Sequence, residues 1–141
     1  MAFRADFKPT ERAYVHRLRV QAADIDELGH ANNVVWVRWV NDAARAHSES
    51  VGFGRSGLLQ LSVLWVVRRH DIEYLLPALE GDELEAITWA QTLSGATSQR
   101  RTLFKRAGKV AARADTKWVM IDAATHGPVR IPAPILAAYG F

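Results

Sequence analysis

One long helix pattern lies between residues 32 and 52, and the other periodic stretches of the chain alternate as β-strands do. Asn32 or Asn33 can cap its start, and Gly52 can end it in a left-handed conformation, which predicts a helix of about 19 residues. Apolar or small residues recur along it in two adjacent stripes: Val34, Val37, Asn41, Ala44, Ser48 and Val51 in one, and Trp36, Val40, Ala43 and His47 in the other. Apolar residues cover most of the girth of its first turns, so we expect other elements to surround the helix.

The rest of the chain predicts a sheet. The predicted strands are residues 13–21 before the helix and 61–74, 83–92, 98–106 and 110–122 after it, with a short final helix in the tail 131–141. Four consecutive strands at hairpin spacing predict an antiparallel meander. One helix against a five-stranded antiparallel sheet is an α+β arrangement, and its open sheet edges favour pairing with a second copy.

Length and composition are those of a single globular domain. The chain has 141 residues, 49% apolar and 23% charged, which predicts one domain over 1–141 with a loose N-terminal arm at 1–11. No apolar run approaches the roughly 18 residues that span a bilayer, and the start lacks the apolar core of a secretory signal, so we expect a cytoplasmic protein. Because the chain has no cysteine, any nucleophile must be oxygen or nitrogen.

The charge pattern indicates no nucleic-acid or metal site. The net charge is +3, and seven of the 18 lysines and arginines gather between Arg100 and Lys117, where alternation on antiparallel strands favours a solvated face. The histidines are scattered without metal-ligand spacing. We therefore expect no metal, no cofactor, no nucleic-acid partner and no membrane contact.

The segment from Ala23 to Asn33 gathers two carboxylates, an imidazole and two amides at a strand-to-helix junction. The first backbone N–H groups of a helix have no partners within it and lie at the positive end of its dipole. They could stabilise a developing oxyanion beside a carboxylate. A plainer interpretation is also open, since Asp favours turns and Asn caps helices without any catalysis.

These residues resemble the hotdog-fold thioesterases, in particular the 4-hydroxybenzoyl-CoA thioesterase-like family. The resemblance is carried by the pattern D-x-D-x-x-G-H-x-N-N from Asp24 to Asn33, by Trp36, by Asp42 to Arg45 on the helix, and by 72–78 and 81–82 downstream. It implies a hotdog fold, with one long central helix wrapped by a five-stranded antiparallel sheet. It also implies a homodimer or a homotetramer with active sites at the subunit interface, and hydrolysis of a fatty or aromatic acyl-CoA to the free acid and coenzyme A.

The resemblance also suggests roles for residues of the motif. Asp26 matches the catalytic carboxylate, acting as a nucleophile or as a general base on water. The backbone N–H of Asn33 is the expected oxyanion donor, with Asn32 or Ala31 as further candidates, and His30 would orient Asp26 or polarise the substrate oxygen. Gly29 would let the main chain approach the thioester. Asp24 and the side chains of Asn32 and Asn33 are expected to be structural.

Three further residues are expected to contact the substrate. Trp36 opens the helix beside the motif and would line the acyl pocket, while Thr97 and Ser98 would hydrogen-bond near the thioester from the partner subunit. The turn 93–98, where some relatives bind the coenzyme A phosphates, carries no charge here, which leaves those contacts unassigned. Two other functions fit the same residues: an acyl-carrier-protein thioesterase, or a non-catalytic acyl-CoA-binding hotdog module, which would have no need for Asp26.

Overall fold

A computed structural model describes residues 7–141 and has the predicted α+β architecture. One long helix packs against one face of a single five-stranded sheet. In chain order the elements are β1 (Tyr14–Arg19), a 3₁₀ turn (Ala22–Asp24), α1 (Asn33–Ser50), α2 (Arg55–Gln60), β2 (Val63–Tyr74), β3 (Glu83–Ser94), β4 (Thr97–Arg106), β5 (Lys109–Asp122) and α3 (Ala133–Ala138).

The sheet is antiparallel in the order β1-β3-β4-β5-β2, which corrects the predicted meander. Strands β3, β4 and β5 do follow one another through tight turns, but β2 pairs with β5 and not with β3. The connection from β2 to β3, residues 75–82, is longer than the two to five residues typical of a hairpin and contains Pro77. It carries the chain from one side of the sheet to the other, so β2 becomes an edge strand.

Helix α1 buries the second of its two predicted stripes in the core. Trp36, Val40, Ala43 and His47 are each at most 5% exposed. Gly52 follows the helix with φ of +89°, a conformation that a residue with a side chain rarely adopts. The first stripe divides: Val34 is 73% exposed, whereas its middle members border a cavity described below.

The N-terminal segment is anchored from Phe7 onwards. Residues 1–6 of the predicted arm lie outside the described residues. The Phe7 side chain is buried and meets the edge of Trp89 on the sheet face away from α1, with ring centroids 5.6 Å apart. The expectation of a loose arm is therefore wrong at Phe7, while the single domain over 1–141 stays a prediction. No helix among residues 7–141 is long and apolar enough to cross a membrane.

The side of the sheet that faces α1 carries a polar row. Thr88, Thr102 and Thr116 lie on β3, β4 and β5 and are fully buried, and the Thr88 and Thr102 hydroxyls are 3.1 Å apart. Beside them lies Arg100, 6% exposed, while Arg101 is 7% exposed. Both arginines were predicted to lie on a solvated face, and the structure contradicts this. Successive strand residues point to opposite faces, so one of two adjacent arginines must point towards the helix.

Candidate active site

The motif begins with a structural aspartate. Asp24 is 4% exposed, and its two carboxylate oxygens accept hydrogen bonds from the Gln21 backbone N–H at 2.9 Å and from Arg38 Nη2 at 2.8 Å. Its backbone carbonyl accepts from the N–H of Asn32 at 2.9 Å. Asp24 therefore joins the end of the 3₁₀ turn to the beginning of α1, which is the structural role expected of it.

Asp26 lies in a closed loop immediately before the helix. An isolated bridge between Ile25 and Ala31 closes the loop, and the Asp26 N–H donates to the His30 carbonyl at 3.1 Å. The carboxylate is partly exposed, and its Oδ1 accepts from the Leu28 backbone N–H at 2.9 Å. Its Oδ2 has no hydrogen-bond partner within residues 7–141. One oxygen thus fixes the orientation of the side chain and the other is free to react.

The start of α1 presents one unoccupied backbone donor beside this loop. The N–H of Ala31 donates to the Ala78 carbonyl at 2.8 Å, and the N–H of Asn32 is held by Asp24. The Asn32 side chain caps the helix by accepting from the Val34 N–H at 3.0 Å. In the described part of the chain, the N–H of Asn33 has no acceptor. Of the three candidate oxyanion donors, Asn33 alone is available.

The other motif residues have simpler surroundings. Gly29 has φ of +85°, and a Cβ built there would meet nothing within 4 Å, so backbone conformation and not crowding requires glycine. The His30 ring makes no hydrogen bond to Asp26 or to any other residue that the structure describes. Trp36 is 2% exposed and packs edge-on against Trp39 and Phe104. Its contact with an acyl group stays a prediction.

A cavity of about 570 Å³, here called the helix–sheet cavity, lies between the later turns of α1 and the sheet. This volume falls within the usual range of small-molecule sites. Helix α1 contributes Asn41, Ala44 and Ser48, the middle of its first stripe. The sheet side of the lining is formed by Leu64, Trp65 and Val67 from β2, Leu93 from β3, Ser98 and Arg100 from β4 and Trp118 from β5. Arg45 from α1, Arg55 from α2 and Tyr139 after α3 also line it.

Arg100 and His47 form a hydrogen-bonded pair at one wall of this cavity. Arg100 Nη1 lies 2.9 Å from His47 Nδ1 and 3.0 Å from Thr88 Oγ1. Burial and, secondarily, the Arg100 charge lower the pKa of His47 from 6.5 to about 4. His47 is therefore neutral at pH 7, as it must be for Nδ1 to accept a hydrogen bond from Arg100 Nη1. Burial also lowers the pKa of Arg100, and Tyr139 partly opposes that shift.

The two predicted residues at the start of β4 differ in their surroundings. Ser98 is 4% exposed and lines the helix–sheet cavity, which Thr97 does not. Both residues border a separate groove whose lining includes Arg69 and Asp115. Asn41 and Trp118 were not predicted from the sequence as site residues, and Arg100 was left without an assigned role. The signal for Arg100 was its adjacency to Arg101 in a strand.

The comparisons agree on the family. The model of the thioesterase-like superfamily matches residues 20–139. The chain is 36% identical over 89 residues to oleoyl-acyl carrier protein thioesterase 1, chloroplastic, from Arabidopsis thaliana, a match that covers 57% of this chain and 24% of the relative. The chain thus spans about a quarter of that curated relative.

Solved structures show the same fold at low sequence identity. A putative oleoyl thioesterase from Lactobacillus plantarum superposes with a TM-score of 0.86 at 19% identity, over 94% of this chain and 51% of that one. A 1,4-dihydroxy-2-naphthoyl-CoA thioesterase from Synechocystis gives a TM-score of 0.82 at 18% identity, over 90% and 95%. The hotdog fold expected from the motif is confirmed. The chain belongs to the thioesterase-like superfamily.

Proposed function

We propose that this protein hydrolyses an acyl-CoA thioester with Asp26 as the catalytic carboxylate and the Asn33 N–H as oxyanion donor. One observation carries the proposal: both groups occur at the same loop-to-helix junction. A carboxylate with one free oxygen lies in the loop that leads directly to an unoccupied N–H donor at the start of the helix. Both groups are what acyl transfer requires, an attacking or activating base and a donor for the charge that develops on the carbonyl oxygen.

Two routes use these groups in the same places. In one, the Asp26 carboxylate attacks the thioester carbon, expels the coenzyme A thiolate and forms an acyl-enzyme anhydride that water then hydrolyses. In the other, Asp26 takes a proton from water as the water oxygen attacks. In both routes the carbonyl oxygen gains negative charge, and the Asn33 N–H would stabilise it at the positive end of the helix dipole.

An acyl-carrier-protein thioesterase is the second candidate, and a specific observation favours it. The matched Arabidopsis relative is named for oleoyl-acyl carrier protein, whereas the Synechocystis structure is named for an acyl-CoA substrate. Comparing kcat/KM for one acyl group carried on coenzyme A and on acyl carrier protein decides between the two candidates.

We further propose that two copies pair through β2. This strand is an edge of the sheet, and Val66 and Val67 on it are 38% and 37% exposed. A long edge strand with exposed valines presents unpaired backbone groups that a second copy can satisfy. Such a homodimer, or a homotetramer built from two of them, would also bring a second chain close to the helix–sheet cavity, because β2 forms part of its lining.

The test is a panel of aliphatic and aromatic acyl-CoA esters assayed by release of free thiol. Asp26→Asn keeps the shape of the side chain and its hydrogen bond to Leu28, yet removes the charge. We expect it to lower kcat by at least about a hundredfold, the scale of a lost catalytic base. Asp42→Asn, a carboxylate on α1 paired with Arg45, is the matched control and should stay active. Full activity in Asp26→Asn, or no cleavage by the wild type, would contradict the proposal.

A further inference from the structure

The helix–sheet cavity holds a buried positive charge that no acidic side chain among the described residues neutralises. Arg100 is 6% exposed, and no carboxylate among residues 7–141 pairs with it. Its side-chain partners are His47, Thr88 and Tyr139, whose ring centroid lies 5.8 Å from Arg100 Cζ, and none of them is a carboxylate. Burying an ion without a counter-ion is costly, and buried arginines are normally paired. Arg100 therefore stands ready for an anion that comes from outside the chain.

Two further polar atoms of the same cavity lack partners. Among the described residues, two buried side-chain atoms have no hydrogen-bond partner, Asn41 Oδ1 and Trp118 Nε1, and both residues line this cavity. Buried polar groups are nearly always satisfied, so two orphans at one site call for partners that the described residues do not supply. The Trp118 N–H can only donate, and the Asn41 amide can present its NH₂ by a half-turn.

The donors come from one face of the sheet. Trp118 on β5 lies directly opposite Ser98 on β4, and Arg100 is two residues further along β4 on the same face. Such diagonal neighbours lie about 7–8 Å apart, close enough to contact one small group from two sides. The cavity lining contains three arginines, Arg45, Arg55 and Arg100, and no aspartate or glutamate. Arg45 is paired with Asp42, but Arg55 and Arg100 leave the lining positive, which suits an anion better than a cation.

The remainder of the cavity suits a hydrocarbon. Leu64, Val67 and Leu93 form apolar walls, joined by the ring of Trp65. A ligand that fits this lining has an apolar body and one anionic oxygen group placed against Arg100 and Trp118. A fully apolar acyl chain would leave the arginine charge and the Trp118 N–H unsatisfied.

We propose that the helix–sheet cavity binds the far end of an acyl group that ends in a carboxylate, so that the preferred substrates are thioesters of dicarboxylic acids. The statement about substrates rests on the proposed thioesterase function, but the carboxylate-binding site itself does not depend on hydrolysis. Arg100 and Trp118 donate to the carboxylate, and Asn41 completes the site.

The direct test is a titration that needs no turnover. With ¹⁵N-labelled tryptophan, the five indole N–H groups give separate NMR signals, and Trp118→Phe identifies the one from Trp118. Sodium octanoate imitates the carboxylate end of the acyl group, and octanamide is its neutral isostere. The corresponding acid and amide pairs with six and ten carbons, hexanoate with hexanamide and decanoate with decanamide, cover other lengths. We expect a carboxylate to shift the Trp118 signal saturably and to bind at least about tenfold more tightly than its amide.

Arg100→Met and Arg101→Met make a matched pair of variants. Arg101 is the next residue, is similarly buried and pairs with Asp115 on the opposite sheet face. Arg100→Met should abolish the preference for the carboxylate, and Arg101→Met should keep it. If Arg100→Met does not fold, Trp118→Phe, which keeps an aromatic ring and removes the indole N–H, should weaken carboxylate binding severalfold, as measured by calorimetry. Equal affinity for acid and amide at every length would overturn the inference.

Kinetics then separate this inference from the proposed function. For the wild type we expect kcat/KM to be about tenfold to a hundredfold higher for suberyl-CoA, or for another dicarboxylyl-CoA from adipoyl to sebacoyl, than for the plain acyl-CoA of equal length. If plain acyl-CoA esters are hydrolysed through Asp26 with no such preference, the inference fails and the function stands. If carboxylates bind at Trp118 but no thioester is cleaved, the function fails and the binding site stands.

Discussion

Replacing Asn33 by proline removes one backbone N–H and tests the oxyanion role of the helix start. Asn33 is the first residue of α1, the position at which proline is favoured because its fixed φ suits the helix and no intrahelical bond is lost. The preceding residue, Asn32, has φ of −62° and ψ of 141°, the conformation that a following proline requires. The Asn33 N–H has no acceptor within residues 7–141, so the substitution breaks no hydrogen bond of the described chain.

The expected outcome is loss of catalysis without loss of stability. Removing one oxyanion donor costs about 10²–10³ in kcat in well-studied hydrolases, or about 2.7–4 kcal/mol. The free energy of unfolding should stay equal or rise by about 0.4–1 kcal/mol, because proline restricts the unfolded chain. Asn33→Ala is the control, since it removes the side chain and keeps the N–H.

The assay is thiol release under saturating acyl-CoA, with urea unfolding of the same preparations. We expect Asn33→Pro to lose at least about a hundredfold in kcat and Asn33→Ala to lose less than about tenfold. If Asn33→Pro keeps its kcat, the donor is elsewhere. If both variants lose activity equally, the side chain of Asn33 and not its N–H is required.

Two further predictions concern His47 and β2. The pKa of His47 is about 6.5 in the unfolded chain and about 4 in the folded protein, so acid favours the unfolded state. As the pH falls from 6.5 to 4, this group should lower the free energy of unfolding by up to about 3 kcal/mol. Urea melts of His47→Gln should show a smaller decrease over the same pH range. An equal fall in both proteins would contradict this origin. Light scattering should give twice or four times 15.7 kDa for the wild type, and Val66→Asp on the exposed edge should lower the mass towards that of one chain; a wild-type monomer would exclude pairing through β2.

Local signals predicted the helix and its loop well. The Asn32 cap and the left-handed Gly52 define both ends of α1 to within a residue or two, because each acts through its own backbone geometry. The strand bounds also follow from alternation and turn residues. The structural role of Asp24 was expected from turn chemistry, although its ion pair with Arg38 requires the folded helix.

Non-local arrangement was beyond these signals. The pairing of β2 with β5 depends on how the chain crosses between sheet edges, which strand spacing does not reveal. Helix α2 has two glycines at or near its start, Gly54 and Gly57, and too few residues to show a period. The cavity is a space between elements, so no single segment of the sequence carries a pattern that predicts it. Arg100 borders the cavity because β4 lies beneath α1 in the folded chain.

Helix α1 separates two proposed tasks along its length, one at its first residue and one at the middle of its first stripe. Its first residue follows the loop that holds Asp26, while Asn41, eight residues further along and thus about 12 Å away, begins the part that borders the cavity. Substitutions at Asn41, Ala44 or Ser48 can therefore alter which acyl groups fit without disturbing the loop that would cleave them. Mutations on this face of the helix can therefore change the range of acyl groups accepted while the cleavage chemistry is kept. The same three positions on one helical face are available to a protein engineer.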